Sequence, residues 1–97
     1  MKGKELTFKI LLENGFMETD SECLELPVPV AEPLDTGDTE VYYRRLFMYY
    51  NYLDDRWSVW YLGGDRKKFL GYCRMVEGLN DILKKNNIDK EITIKEN

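Results

Sequence analysis

The sequence predicts an α+β fold: a two-layer sandwich in which an antiparallel sheet of three to four strands carries an N-terminal and a C-terminal helix on one face. Three observations lead there. A helix-stop pattern stands at Gly15, a β-rich stretch predicts a hairpin from Val41 to Leu62, and an apolar stripe at helical spacing begins at Tyr72. The 97 residues have the usual size of one folding unit, so a single domain over 1–97 is expected.

The first helix is expected from Leu6 or Thr7 to Asn14, a run of good helix formers. Gly15 takes the left-handed position after it, and Phe16 folds back onto Leu11, as in a Schellman motif.

Residues 18–40, "ETDSECLELPVPVAEPLDTGDTE", hold eight acids and no Lys or Arg. With the whole chain at −4 and this segment at −8, the rest stands at +4. Leu24, Leu26, Val28 and Val30 share one parity, while Glu25, Pro27 and Pro29 share the other. That pattern predicts an extended segment with one apolar face. Its prolines, lacking N–H donors, confine it to a sheet edge or a polyproline-like pass. Glu32 to Glu40 reads as a loop.

The stretch from Val41 to Gly64 gathers nine of the thirteen aromatic residues together with Arg44, Arg45 and Arg56. "LDDR" separates two β-rich runs and predicts a hairpin that sets Tyr52 opposite Trp57. Leu46, Met48, Tyr50, Tyr52, Trp57, Val59 and Tyr61 then share the charge-free core face. Arg45, Phe47, Tyr49, Asn51, Arg56, Ser58, Trp60 and Leu62 share the other, which is amphipathic and too aromatic for an ordinary wet surface.

"GGD" at 63–65 is a turn, and "RKKFL" a fourth short strand whose register the sequence leaves open. Tyr72, Met75, Val76, Leu79, Ile82 and Leu83 form the stripe of the last helix. "KKNNI" ends it with cations in the last turn, an Asn in the left-handed cap, and Ile88 in the role of Phe16. "EITIK" alternates and predicts a terminal edge strand.

The two ends and the middle carry a resemblance. "ILLENGF", "LNDILKKNNIDKEITI" and the aromatic meander with "GG" resemble a loose group of small phage and mobile-element proteins of Bacteroidetes, in which an early "NGF" and a late "GIDKEI"-like tail recur. It covers about a third of the chain and departs from the pattern at Asn87, where a glycine is expected, and in the acidic insert. The resemblance implies a mobile-element accessory protein and carries over no functional residue.

Composition narrows the chemistry. At −4 and pI 4.8, binding nucleic acid through bulk electrostatics is disfavoured. No apolar run has the ~20 residues of a membrane helix. No signal-peptide pattern precedes the first helix, and Cys23 and Cys73 lack metal or redox spacing, so two reduced thiols in the cytoplasm are expected. With no histidine, the commonest general base and most transition-metal sites are missing, and no cofactor or metal is expected. Cys73 is placed at the start of the last helix, where a helix N-terminus lowers a thiol pKa, although a partly buried structural thiol is the simpler reading. Asp54 and Asp55 suit a turn better than a catalytic pair. Asp35, Asp38 and Glu40 lack the twelve-residue calcium pattern.

Two features remain as candidate sites. One is the aromatic face with Arg45, Phe47, Tyr49, Arg56 and Trp60. The other is the acidic segment with Asp35, Asp38 and Glu40, which suits a basic groove on a partner. The expectation is a non-catalytic protein-binding module, an accessory protein that inhibits or modulates a host nucleic-acid-handling complex in the manner of an anti-CRISPR protein. A homodimer is a further possibility for the same face. The alternative is a single-stranded nucleic-acid binder that stacks bases on it.

Overall fold

The computed structural model describes residues 4–20, 23–63 and 65–94. Ser21 and Glu22 of the acidic segment, Gly64 of the predicted turn and Lys95 of the predicted terminal strand lie outside them. The chain runs as α1 (Phe8–Glu13), β1 (Met17–Asp20), β2 (Cys23–Pro33), β3 (Thr39–Asn51), β4 (Arg56–Gly63), β5 (Arg66–Cys73) and α2 (Val76–Lys85). All five strands form one antiparallel sheet in chain order. The α+β class is as expected. The sheet has five strands rather than three to four, and the helices are short, at six and ten residues.

Both helices end as their sequences dictate. Thr7 caps α1 by accepting the Ile10 N–H at 3.2 Å. At its C-terminus Gly15 has φ 97°, and the amides of Gly15 and Phe16 donate to Leu12 and Leu11 at 3.1 Å each. α2 repeats this with Asn87 at φ 57°, its amide donating to Lys84 at 3.1 Å and that of Ile88 to Leu83 at 2.9 Å. These are two Schellman caps, and asparagine fills the place where the resemblance expects glycine.

The core lies on one face of the sheet. Leu24, Leu26 and Val28 of β2, Leu46 and Met48 of β3, and Trp57 and Val59 of β4 are buried against Leu11, Val76, Leu79 and Leu83 of the helices. The hairpin register differs from expectation by two residues: Tyr50, not Tyr52, faces Trp57, and Tyr52 to Asp55 form the turn. A slip of two keeps every side chain on its face. Only Tyr52 leaves the core, 62% exposed in the turn. The stripe of α2 is shorter than expected as well, since Tyr72 belongs to β5 and Met75 precedes the helix; both are exposed. Leu79 and Leu83 are fully buried, so Leu79→Ala and Leu83→Ala should each lose about 2–5 kcal/mol in denaturant unfolding. Wild-type stability in both would turn that helix face towards solvent.

The acidic segment is more ordered than a loop. β2 runs on to Pro33 and pairs with β3 to its start at Thr39, leaving only Leu34 to Asp38 as a turn closed by the Leu34 amide on the Asp38 carbonyl at 2.8 Å. Beyond the end of β4 this hairpin continues as a two-stranded arm. It stretches the molecule to 48 × 30 × 21 Å, with a radius of gyration of 14.4 Å. A compact chain of this length would have about 12.5 Å.

The expected terminal strand does not form among the described residues, 91–94. Two asparagine side chains hold the segment instead. Asn80 accepts the Ile92 N–H at 2.7 Å and donates to its carbonyl at 3.1 Å; Asn14 does the same for Thr93 at 2.9 and 2.8 Å. Each primary amide supplies one donor and one acceptor, imitating a neighbouring peptide. Ile88 and Ile92 fall into the core below.

Candidate protein-binding face

Both helices pack on the same side, so the second face of the sheet has no layer over it among the described residues. Strand alternation sets Arg45, Phe47 and Tyr49 of β3 beside Leu62, Trp60 and Ser58 of β4, with Arg56 at the turn end. On β5 the ladder passes from Phe69, opposite Trp60, to Gly71, opposite Val59, so Leu70 is an extra residue. Because of this bulge, Phe69 and Tyr72 share the open face although they are three apart. Gly71, at φ 150°, allows the bulge and leaves room for Ile82 of α2, whose Cδ1 lies 3.4 Å from where a Cβ would stand.

The rings form a continuous layer. Trp60 and Phe69 are 5.0 Å apart by centroid, and Phe69 and Tyr72 are 4.9 Å apart. Lys67 Nζ lies 4.4 Å from the Phe47 ring and donates to the Tyr49 hydroxyl at 2.7 Å. The Arg56 guanidinium stands 3.6 Å over Tyr72 and meets Asp54 at 3.4 Å. Arg45 pairs with Glu25, a residue nearly buried at 9% exposure. Trp60 Nε1 donates to Ser58 Oγ at 3.1 Å. Phe47, Tyr49 and Trp60 are half-buried by these neighbours, while Phe69 and Tyr72 are exposed.

Arg45, Phe47, Tyr49, Arg56 and Trp60 therefore share one surface. Asp35, Asp38 and Glu40 do not join it; they sit at and beside the tip of the arm, all exposed. Sequence reasoning missed Lys67, Phe69 and Tyr72. Phe69 was ambiguous in register, and Tyr72 fitted the helical stripe by coincidence of spacing.

The remaining candidates have structural partners. Tyr50 donates its hydroxyl to Asp55, whose carboxylate holds that phenol above its ordinary range. Asn51 donates to Asp54 at 3.1 Å. Both aspartates close the turn. Cys73 corrects an expectation: it ends β5 rather than opening α2, and burial pushes its thiol up to about 12. It should resist alkylation in the folded protein at mildly alkaline pH and react on unfolding. Folding holds this thiol protonated, so its contribution to stability is complete below the ordinary thiol range and is lost as pH rises towards about 12. Rapid labelling of the native protein would contradict this.

Among the described residues, no three His, Cys, Asp or Glu side chains group as a metal site, and no helix is long and apolar enough to cross a membrane. No protein-family model, no curated protein and no solved structure matches this chain.

Proposed function

We propose that the chain is a non-catalytic protein-binding module whose open sheet face docks a protein partner. The observation that carries this reading is the uncovered layer of Phe47, Tyr49, Trp60, Phe69 and Tyr72, opposite a core that already has its helices. Aromatic residues flanked by Arg are the composition of an interface centre. The same face suits single-stranded nucleic acid less well. Arg45 is held by Glu25 and Arg56 by Asp54, so two of its three cations are already neutralised before any phosphate arrives.

The partner class follows from charge. A protein at −4 with acids concentrated on a projecting arm favours a basic partner, and nucleic-acid-handling proteins present such surfaces. In our reading the chain is a mobile-element accessory protein acting on a host complex of that kind, with a CRISPR effector as the most specific candidate.

Affinity purification from the native host tests this directly. Recovery of a nucleoprotein complex is the expected result, whereas recovery of free RNA or DNA alone would favour the stacking alternative. Neutralising Asp35, Asp38 and Glu40 should slow association with the recovered partner and flatten its salt dependence. Unchanged association rates at low salt would remove the arm from the interaction.

A further inference from the structure

A cleft opens on the core side of the sheet, at the end away from the arm. Three segments meet there. The β3–β4 turn brings Tyr50 and Asp55, the entry to α1 brings Glu5 to Phe8, and the link between β5 and α2 brings Arg74. Two backbone bonds tie the second segment to the third: the Leu6 amide donates to the Arg74 carbonyl and the Val76 amide to the Lys4 carbonyl, each at 2.8 Å. The cleft holds about 300 Å³, the lower end of the range for small-molecule sites.

Its inner wall is aromatic. By ring centroid, Phe8 stands 4.9 Å from Trp57 and 6.2 Å from Tyr50, and Tyr50 lies 5.2 Å from Trp57. Its rim is charged. Glu5, Asp55 and Arg74 are all exposed there, and none of them forms an ion pair among the described residues. Arg74 instead donates to the Asp54 carbonyl at 3.1 Å. Two carboxylates and one guanidinium leave the rim at −1. The backbone of Asp55 sits at φ 53°, in the left-handed region, and its carboxylate accepts the Tyr50 hydroxyl. Glu5 acts on the same phenol. The hydrogen bond to Asp55 does most to hold that phenol above its ordinary range, and the charge of Glu5 adds to the effect.

The geometry points to a binding site for an organic monocation: an alkylammonium or guanidinium group with its charge between Glu5 and Asp55 and its methylenes on Phe8 and Tyr50. Rings beside carboxylates suit that chemistry, since ring faces attract a cation and its carbon stem gains apolar contact. An anion would meet two carboxylates. A zwitterion would also need Arg74, whose guanidinium is held by the Asp54 carbonyl. The cleft lies on the other side of the sheet from the proposed docking face and does not depend on that reading.

NMR titration of the full chain with n-butylammonium chloride tests this. The Trp57 indole N–H and the amides of Glu5 to Phe8 should shift, with a dissociation constant in the millimolar range, while the Trp60 indole N–H on the open face stays still. Glu5→Gln and Asp55→Asn should each raise that constant by about three- to fivefold. Both keep the side chain's shape, and asparagine tolerates the left-handed backbone, so the fold is retained. Arg74→Gln should tighten the cation, because it removes a like charge from the rim. A capped peptide with a single lysine separates two sources of the group. Binding about tenfold tighter than n-butylammonium assigns it to a partner's side chain, and equal or weaker binding to a free amine; either supports the site. No shift up to about 100 mM n-butylammonium overturns the inference. So does equal binding of n-butanol, or tighter binding of the zwitterion glycine. Met1 to Gly3 precede this segment and lie outside the described residues. Binding that appears only in a Lys2→Ala variant would mean that the chain's own amino-terminal segment fills the cleft, and overturns it too.

Discussion

Replacing Trp57 by alanine should lower the free energy of unfolding by about 3–5 kcal/mol, the largest loss expected of any single truncation in this chain. The ring is 2% exposed and packs edge-on to Phe8 at 4.9 Å and against Tyr50 at 5.2 Å. Its Nε1 donates to the Leu6 carbonyl at 3.3 Å. That bond reaches beyond the ring, because the segment holding Leu6 is itself stitched to the link between β5 and α2: the Leu6 amide donates to the Arg74 carbonyl, and that of Val76 to the Lys4 carbonyl, each at 2.8 Å. Truncation leaves both a cavity and a carbonyl without its donor. Trp57→Phe keeps much of the packing but not the donor, so it should fall between alanine and wild type. Denaturant unfolding of the three proteins is the measurement. Near-wild-type stability for the alanine variant would mean that Trp57 faces solvent and the two sheet faces are exchanged.

That outcome bears on how much of the molecule its sequence discloses. Parity is the robust part. Leu46, Met48, Trp57 and Val59 were assignable to the core because alternation is insensitive to a two-residue slip, and the hairpin did slip by two. The slip itself was not legible, since it depends on Asp55 taking φ 53° to close a turn that starts at Tyr52. Both helix stops were legible because the left-handed residue and the apolar residue after it are adjacent in the chain. Elements whose own residues carry no pattern, or whose partners are distant in the chain, were not. β1 is a tetrapeptide, three of its four residues polar, whose pairing spans only Cys23 to Glu25, and nothing in its own residues marks a strand. "EITIK" alternates as an edge strand would, but its neighbours are the amides of Asn14 and Asn80, contacts that no local pattern announces. The candidate site divides the same way: its β3 and β4 residues followed from alternation, and its β5 residues required a bulge.

Those β5 residues give the sharpest separation of binding from folding. Phe69 and Tyr72 are 41% and 50% exposed, so truncating either to alanine should cost little stability, about 1 kcal/mol or less. If the open face is the docking surface, each should weaken capture of the partner by about 2 kcal/mol, roughly thirtyfold, as interface anchors do. Trp60→Ala should weaken capture at least as much, with a larger loss of stability because its ring is half-buried against Phe69. Arg45→Glu is a poorer probe than its place on the face suggests: it sets a second carboxylate against nearly buried Glu25 and should lower both melting temperature and capture. Arg56 offers the contrast. Its guanidinium lies on Tyr72 and reaches Asp54 at the turn, so Arg56→Lys keeps the charge while losing the planar stack. Capture and melting measured on the same preparations decide the matter. Phe69→Ala and Tyr72→Ala proteins that melt normally and still bind at wild-type strength would remove the open face from the interaction and leave the arm as its site.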